Sequence, residues 1–468
     1  MPIRNRFHMQ AATAILFAMA ALPVAANAAP DTNAALARDV LREIIAIDST
    51  HAKGSTVVAE AVAARLIAGG FSKEDVQVLT PQPDKGNVVA RLRGRGKGKP
   101  VLFVAHLDVV EADPADWSLP PFQLTEKDGF FFGRGTIDIK NEVASLVANL
   151  IRLKRERFVP ARDIIVAFTS DEESGGTLNG VEWLLANHRE LIDAEYVVNP
   201  DSGGGDFVDD KRSILRFQTA EKIYATYQLE TTSPGGHSSL PGHDNAIYQL
   251  ANGLTRLGQF VFPAQLNDTT QAYFARLSTK AQGQEAVDMK RLGEGNLDPG
   301  AVQRLSATPL YGSTLRTTCV ATMLQAGHAE AALPQRAKAT VQCRLFPSDT
   351  VSDVQATLTR VVADPAIHVT VVGEPVPAPA SPLRQDLLHT VEGVTRSMWK
   401  DVPVVPVMDP WDSDSFYIRR AGIPAYGVSG TFSDVNTAGA HGRDERVGVQ
   451  AFDEGVEFTY RLIKALGR

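Results

Sequence analysis

The feature that most constrains this chain is an apolar run that ends in carboxylates. Residues 164–168 read Ile-Ile-Val-Ala-Phe, and Asp171, Glu172 and Glu173 follow closely. An uninterrupted apolar run favours a strand that is covered on both faces. Adjacent carboxylates repel one another unless cations or hydrogen bonds compensate their charge. Because ligands of open α/β sheets bind at the carboxyl ends of strands, the stretch predicts a binding site, with a solvated acidic turn as the alternative.

Two further apolar runs end in the same way. Residues 101–105 read Val-Leu-Phe-Val-Ala and lead into His106, and a short run at 196–198 is followed closely by Asp201. Apolar residues also recur at helical spacing at 36–45, 57–66 and 141–152. This alternation of strands and helices predicts an α/β sheet domain.

The pattern changes after about residue 218. A strand, a helix and three strands are predicted at 223–230, 245–260, 318–324, 339–345 and 369–372. Their order suits a small split βαβ domain of α+β, ferredoxin-like (βαββαβ) type. A proline-rich linker follows, after which the helix and strand pattern returns. We therefore predict a large domain formed by 29–218 and 377–468, with 219–376 inserted into it.

The N-terminus indicates where the protein acts, and the charge balance indicates which class of partner is excluded. Residues 1–28 resemble a secretory signal peptide, in which Arg4 and Arg6 precede an Ala-rich apolar run and Ala26-Asn27-Ala28 fits a cleavage site. An uncleaved anchor is the alternative, although the run is shorter than the ~20 residues that a bilayer span needs. We expect a secreted or periplasmic protein with no membrane association. The net charge of −7 argues against nucleic acid as the main partner.

Acids and histidines follow the predicted strands or lie in glycine-rich loops. They are His106, Asp108, Asp138, Glu172, Glu173, Asp201 and His441. In His106-Leu107-Asp108 the two polar side chains share one face of an extended segment, so one can bind a metal while the other orients it. Mixed imidazole and carboxylate ligands suit zinc, and two metal ions can share one carboxylate. Taken singly, each residue also fits an ordinary role such as a helix cap or a turn.

In this order the motifs resemble those of the M20 family of zinc metallopeptidases, which includes carboxypeptidase G2, acyl-amino-acid hydrolases and bacterial dipeptidases. The matching segments span nearly all of the chain after residue 28 and are His106-Leu107-Asp108, Gly133-Arg134-Gly135 to Asp138 and Lys140, Asp171-Glu172-Glu173, Asn199-Pro200-Asp201, Gly236-His237-Ser238-Ser239 and His441. Residues 315–345 look most like the Gly-X carboxypeptidase branch. The resemblance implies a zinc-exopeptidase-like mixed sheet flanked by helices, with the inserted domain as a lid and dimerisation domain.

The resemblance also implies a role for each of these residues. The metal ligands would be His106 and Asp201 for one zinc ion, Glu173 and His441 for a second, and Asp138 as the bridge between them. Two zinc ions per subunit are expected, with cobalt or manganese as substitutes. Glu172 would be the general base, and Asp108 would orient His106 or steady the bridge.

Two residues of the inserted domain have a role under the same resemblance. His237 would reach the active site, often that of the partner subunit, to stabilise the oxyanion; the alternative is a turn histidine after Pro234-Gly235-Gly236. Arg344 is a candidate for binding a substrate carboxylate, because guanidinium pairs bidentately with it, and a solvent-facing strand arginine is the alternative. Relatives usually carry Asn at the position of Ala331, and this departure affects substrate choice rather than the metal ligands.

The sequence therefore predicts a zinc-dependent exopeptidase, of the carboxypeptidase kind, that hydrolyses peptide or peptide-like amide bonds. An N-acyl-amino-acid hydrolase and a dipeptidase stay open as alternatives, because pocket shape decides among them. The substrate is expected to be a small peptide or an N-acyl amino acid. A non-catalytic binding protein of the same fold is disfavoured by the intact base and ligand set.

The inserted domain yields two further expectations. Cys319 and Cys343 lie on strands that the βαββαβ order pairs antiparallel, and one register places them opposite each other, as a disulfide requires. The exposed outer strand of this domain invites pairing, and relatives commonly dimerise through it. We therefore expect a homodimer in which His237 completes the active site of the partner.

Overall fold

The computed structural model describes residues 32–174, 178–209, 211–375, 377–434 and 437–468. The predicted signal peptide lies outside the described residues. Among the helices that are described, none combines the length and the apolar character needed to cross a membrane.

The first part of the described chain alternates helices and strands. Its elements are α1 (Thr32–Ile45), α2 (Thr56–Ala68), β1 (Val76–Leu79), β2 (Asn87–Leu92), β3 (Val101–His106), β4 (Thr125–Lys127), β5 (Phe130–Phe132), α3 (Lys140–Arg155), β6 (Ile164–Thr169), α4 (Gly180–Asn187), α5 (Arg189–Ile192), β7 (Tyr196–Asn199) and β8 (Gly205–Val208).

The second part holds the remaining strands and a series of short helices. Its elements are β9 (Lys211–Glu221), β10 (Ile223–Thr232), β11 (Gly236–His237), α6 (Ala246–Gln259), α7 (Asp268–Leu277), α8 (Gly283–Gly293), α9 (Pro299–Leu305), α10 (Pro309–Thr314), β12 (Thr318–Ala326), β13 (Ala332–Leu333), β14 (Arg336–Leu345), α11 (Val351–Val362), β15 (His368–Val372), α12 (Gln385–Met398), β16 (Val404–Asp409), α13 (Ser415–Arg420), β17 (Ala425–Gly427), β18 (Phe432–Ser433), β19 (Arg446–Gly448) and α14 (Val449–Leu466).

A large mixed sheet organises the molecule. Its strand order is β1-β2-β6-β3-β7-β17-β9-β8-β18, with β16 paired to β9. The neighbours β6, β3, β7 and β17 run parallel, while β2 pairs antiparallel with β6. The predicted mixed α/β fold is therefore confirmed, and four carboxyl ends lie side by side at one edge of the sheet.

Strand β6 shows why its sequence is apolar throughout. Ile164, Val166 and Phe168 belong to the core on one face of the sheet, and Ile165 and Ala167 belong to the core on the other face. Because successive side chains of a strand point to opposite faces, a strand covered on both sides needs apolar residues at every position. Helices α1, α3 and α14 cover the first face, and α4 and α13 cover the second.

The inserted segment forms a second, smaller sheet. Its strand order is β12-β14-β10-β15, and each pair is antiparallel. Helices α6 and α11 pack on one face through Leu250, Leu257, Val354 and Leu358. This arrangement confirms the predicted ferredoxin-like lid.

Helices α7 to α10 belong to the same stretch of sequence but pack elsewhere. Phe274 of α7, Leu292 of α8 and Leu305 of α9 share a core with Val405 and Val407 of β16. These helices therefore lie against the large sheet. The residue limits given above for the two domains stay a prediction.

A disulfide joins Cys319 of β12 to Cys343 of β14, as expected from the strand order. The two residues face each other in the register of the pair, and a bulge between Ala321 and Met323 shifts the pairing beyond them. The disulfide fixes the outer strand to the rest of the small sheet.

We predict that Cys319→Ala with Cys343→Ala lowers the unfolding free energy of the inserted domain by about 3 kcal/mol, because the bond closes a loop of 24 residues. Alanine is chosen over serine because Cys343 is fully buried and a hydroxyl there would lack a partner. Chemical denaturation followed by circular dichroism measures the change, and the reduced wild-type protein should match the double variant. Two free thiols in denatured, unreduced protein would contradict the bond.

Candidate metal centre

The predicted ligands meet at the carboxyl edge of the parallel strands. Strand β3 lies between β6 and β7, so the ends of these three strands are immediate neighbours. Strand β3 ends at His106, β6 leads into Glu172 and Glu173, and β7 leads into Asp201. Four residues from three distant stretches of the sequence therefore share one small region because the strands that lead into them are adjacent.

Asp138, in the loop before α3, lies at the centre of this region. His106 Nε2 is 3.1 Å from Asp138 Oδ1, whereas His441 Nε2 is 3.0 Å from Asp138 Oδ2. His441 Nε2 is also 2.9 Å from Glu173 Oε2. Because the two imidazoles approach different oxygens of one carboxylate, Asp138 has the geometry of a residue shared between two sites.

The orientation of His106 follows from a contact on the far side of its ring. His106 Nδ1 is 3.0 Å from the backbone carbonyl oxygen of Asp108. A carbonyl can only accept, so Nδ1 carries the proton and Nε2 presents its lone pair to the centre. The main chain of Asp108 therefore orients His106, and the carboxylate Oδ1 of Asp108 lies 3.9 Å from the same Nδ1.

Among the residues that the structure describes, three groups of side chains bring ligand atoms within 4.8 Å of one another. They are His106 with Asp138 and Asp201, Asp138 with Glu173 and His441, and His106 with Glu172 and Glu173. The first two groups coincide with the two metal sites expected from the sequence, with Asp138 common to both. The third group shows that geometry alone allows Glu172 to be either a ligand or a free base.

The carboxylates at this edge of the sheet need cations to balance their negative charge. Burial raises the pKa of Glu172 and of Asp201 well above the usual range, and the neighbouring carboxylates raise both further, although His106 opposes them. A bound divalent cation reverses this balance and keeps carboxylates ionised at neutral pH. Two imidazoles with several carboxylates and no cysteine make a donor set that fits zinc at an open catalytic site.

The carboxylate of Asp108 also makes contacts that its motif does not suggest. Its Oδ1 and Oδ2 accept hydrogen bonds from the backbone N–H groups of Glu172 and Glu173, at 3.2 and 3.0 Å. Asp108 thus holds the turn that presents these two side chains.

Glu445 performs a similar task for Asp138 and was not foreseen from the sequence. This fully buried carboxylate accepts hydrogen bonds from the backbone N–H groups of Gly135, Ile137 and Asp138, and Arg134 pairs with it at 2.6 Å. Nothing in the local sequence separates it from a solvated loop acid, because all its partners are distant along the chain.

A cavity of about 650 Å³ opens at the centre. It is lined by the predicted residues Asp138, Glu172, Glu173, Asp201 and His441, and by Arg344 from the small sheet. His106 lies beneath them and is 2% exposed. The structure therefore brings Arg344 to the same space as the candidate metal ligands.

Several further residues line this cavity without having been predicted. Arg216 pairs with the buried Asp409, and its guanidinium carbon lies 5.0 Å from the ring centre of Trp411. Glu142, at the start of α3, is buried and accepts hydrogen bonds from the hydroxyls of Ser429 and Thr431. These residues shape the cavity, but their sequence surroundings carry no ligand-like spacing.

His237 is the predicted catalytic residue that the structure leaves apart. It is exposed, pairs through β11 with Ala332, and its Nδ1 lies 2.7 Å from the hydroxyl of Ser239. Within the described part of this single chain, it is absent from the lining of the cavity.

Comparisons with known proteins identify the family to which this chain belongs. The model of peptidase family M20/M25/M40 matches residues 102–465. The chain belongs to this family. The resemblance seen in the sequence is confirmed, and the protein is a metal-dependent hydrolase of peptide or amide bonds.

The names of individual relatives of this M20 protein refer to different reactions. It is 30% identical to human N-fatty-acyl-amino acid synthase/hydrolase PM20D1 over 382 residues, which cover 78% of this chain and 74% of the human one. It is 28% identical to a probable carboxypeptidase S-like 2 from Dictyostelium discoideum, over 78% of this chain and 71% of that one.

Solved structures show the same fold. An M20 family metallo-carboxypeptidase from Sulfolobus solfataricus matches with a TM-score of 0.66 and 16% identity, over 92% of this chain and 99% of that one. A dinuclear metal-binding peptidase of the M20 family from Bacillus subtilis matches with a TM-score of 0.59 and 14% identity, over 93% of this chain and 98% of that one.

Two matched variants separate the ligand and base roles at this centre. Asp138→Ala should lose both metal and activity, because Asp138 belongs to both candidate sites. Glu172→Gln should keep the metal content of the wild type and lower turnover at least ~100-fold, as removal of a general base does. Elemental analysis after dialysis, together with hydrolysis rates, measures both. Two metal ions retained in Asp138→Ala would rule out the shared carboxylate, and metal loss in Glu172→Gln would make Glu172 a ligand.

Proposed function

We propose that this protein is a dizinc hydrolase that cleaves the amide bond on the amino side of an amino acid with a free carboxylate. A peptide with a free C-terminus and an N-acyl amino acid both contain this unit, and they differ only in the acyl part. The observation that carries the proposal is the position of Arg344 in the cavity of the metal centre.

Arg344 is suited to hold such a carboxylate. Its side chain is 26% exposed, and its Nη1 donates to Asp412 Oδ1 at 2.7 Å. Asp412 is half exposed and can turn to solvent, which leaves the guanidinium free for a carboxylate of the substrate. The guanidinium carbon also lies 4.7 Å from the ring centre of Tyr224, which restricts its position.

Each residue then has a defined part in the reaction. His106, Asp138, Glu173, Asp201 and His441 would hold the two zinc ions. Bound zinc lowers the pKa of water and polarises a carbonyl group. Glu172 takes the proton of the attacking water and delivers it to the departing amine nitrogen. Arg344 fixes the carboxylate of the leaving amino acid and so orients the amide bond over the centre.

The names of the relatives support two classes of substrate for this protein. The names of the human and Dictyostelium proteins refer to N-fatty-acyl amino acids and to carboxypeptidase action. Both reactions release an amino acid that carries a carboxylate, as the placement of Arg344 requires. N-acyl amino acids are therefore the second candidate substrate beside C-terminally free peptides.

We also place the protein outside the cytosol, in the periplasm or the secreted fraction. Residues 1–28 have the pattern of a cleaved signal peptide. The disulfide between Cys319 and Cys343 supports this location, because such bonds persist in oxidising compartments.

Arg344→Met tests the substrate proposal. Because a charge-assisted hydrogen bond contributes about 1.5–3 kcal/mol, kcat/KM for an N-acyl-phenylalanine should fall roughly 10- to 100-fold. The low rate on the matching phenylalaninamide should not change, since it has no carboxylate to lose. Arg336→Met is the control, because Arg336 is exposed on the same strand and pairs with Glu230. An equal loss on acid and amide would contradict carboxylate binding by Arg344.

The outer strand of the small sheet supports the further proposal of a homodimer. Every residue from Val320 to Ala326 is exposed, so both faces of this part of β12 are open. Val320, Met323 and Leu324 are 60%, 58% and 63% exposed. An edge strand that exposes apolar side chains invites pairing with another chain. A second copy bound there would form a symmetric interface.

A mixing experiment tests whether the dimer shares His237 between subunits. Glu172→Gln chains and His237→Ala chains are each expected to be inactive, and heterodimers of the two should regain one working site. Analytical ultracentrifugation establishes the dimer, and differently tagged chains confirm that subunits exchange. A monomer in solution, or absence of recovery despite exchange, would contradict the shared site.

A further inference from the structure

The turn that carries Asp171, Glu172 and Glu173 is held from two sides. On one side, the carboxylate of Asp108 accepts hydrogen bonds from the backbone of Glu172 and Glu173. On the other side lies the connection between β1 and β2, whose Lys85 reaches the beginning of the turn. This second contact has no part in the reaction described so far.

Lys85 and Asp171 form a buried ion pair. Lys85 Nζ donates to Asp171 Oδ1 at 2.6 Å, and the two residues are 5% and 2% exposed. His51 Nδ1 lies 3.3 Å from the same oxygen, but its side chain is 56% exposed. A buried carboxylate needs a charged partner, and Lys85 is the buried cation that supplies it.

The backbone of Asp171 needs such support. Its φ is +59°, in the left-handed region that non-glycine residues seldom adopt. Surrounding contacts must hold a residue in this conformation. Because Glu172 and Glu173 follow directly, a rotation at Asp171 would displace both of their carboxylates.

Asn87, at the start of β2, holds the preceding residue. Its Oδ1 accepts a hydrogen bond from the backbone N–H of Ser170 at 2.9 Å, and Asn87 is fully buried. Lys85 and Asn87 therefore fix two consecutive residues, Ser170 and Asp171, where the chain leaves β6. The position of the turn is set by a neighbouring strand as well as by its own sequence.

We propose that Lys85 is a positioning residue for hydrolysis, whose ion pair with Asp171 sets the places of the Glu172 and Glu173 carboxylates. Lys85 is not among the described residues that line the cavity, so its effect passes through Asp171. The inference rests on the proposed roles of Glu172 as the base and Glu173 as a ligand.

Lys85→Met removes the charge and keeps the length of the side chain. We expect kcat to fall roughly 10- to 100-fold with KM changed less than about threefold, because a displaced base slows the reaction without removing substrate contacts. Lys99→Met is the matched control, since Lys99 pairs with Asp193 at 3.5 Å on the surface. Surface pairs contribute little, so kcat of the control should stay within about twofold of wild type.

A double variant, Lys85→Met with Asp171→Asn, separates positioning from stability. It leaves no buried charge unpaired, and asparagine tolerates the left-handed conformation, so the melting temperature should recover toward wild type. The value of kcat should stay low, because the ion pair that holds the turn is still missing. Recovery of kcat together with the melting temperature would overturn the proposal.

Hydrogen–deuterium exchange measures how firmly the turn is held, and it needs no substrate. In Lys85→Met, and not in Lys99→Met, the amides of Glu172 and Glu173 should exchange faster. Unchanged exchange there, or a wild-type kcat in Lys85→Met, would overturn the proposal. If the wild-type protein hydrolyses no amide, the proposed function fails, while the exchange rates still decide whether Lys85 holds the turn.

Discussion

Repulsion among carboxylates at the ends of β3, β6 and β7 is the constraint on which the rest of the structure depends. A parallel sheet places these ends side by side and away from water, where ionised acids oppose folding unless they are compensated. His106 and His441 supply part of the compensation by approaching the two oxygens of Asp138. Metal cations, on which this family depends, are the natural source of the remainder. The carboxylate cluster that is hardest to accommodate in the fold is therefore also the candidate metal centre of the protein.

The surrounding loops are held by contacts that lie outside the reacting groups. Asp108 binds the backbone of the turn at Glu172, and Glu445 binds the backbone of the loop that ends at Asp138. Lys85 holds the same turn from the opposite side through Asp171. Each of these side chains is buried, so its hydrogen bonds have no competition from water and can fix a loop within a fraction of an ångström. The scaffold thus prepares the ligand geometry before any substrate arrives.

The inserted domain connects substrate choice to the fold as a whole. Its strand β14 carries Arg344 into the cavity and also carries Cys343, whose disulfide ties down the outer strand. The side chain that we propose binds the substrate carboxylate therefore comes from a different sheet from the candidate metal ligands. Movement of one sheet relative to the other would change the distance between Arg344 and the candidate metal ligands, so under the proposed function the placement of the lid contributes to specificity.

The sequence by itself determined the fold class and the candidate ligands, because both leave local patterns. The apolar run at 164–168 requires a strand covered on two faces, and His106-Leu107-Asp108 and Asp171-Glu172-Glu173 stand directly after such strands. The strand order of the small sheet likewise followed from its pattern, and with it the antiparallel pairing of the strands that carry Cys319 and Cys343, whereas the structure decided the register that joins the two residues. Only the tertiary structure decided which polar side chains hold these motifs in place. Lys85 and Glu445 resemble solvated loop residues in the sequence, and their partners come from distant segments, so burial and contact are decided only when the sheets and loops pack together.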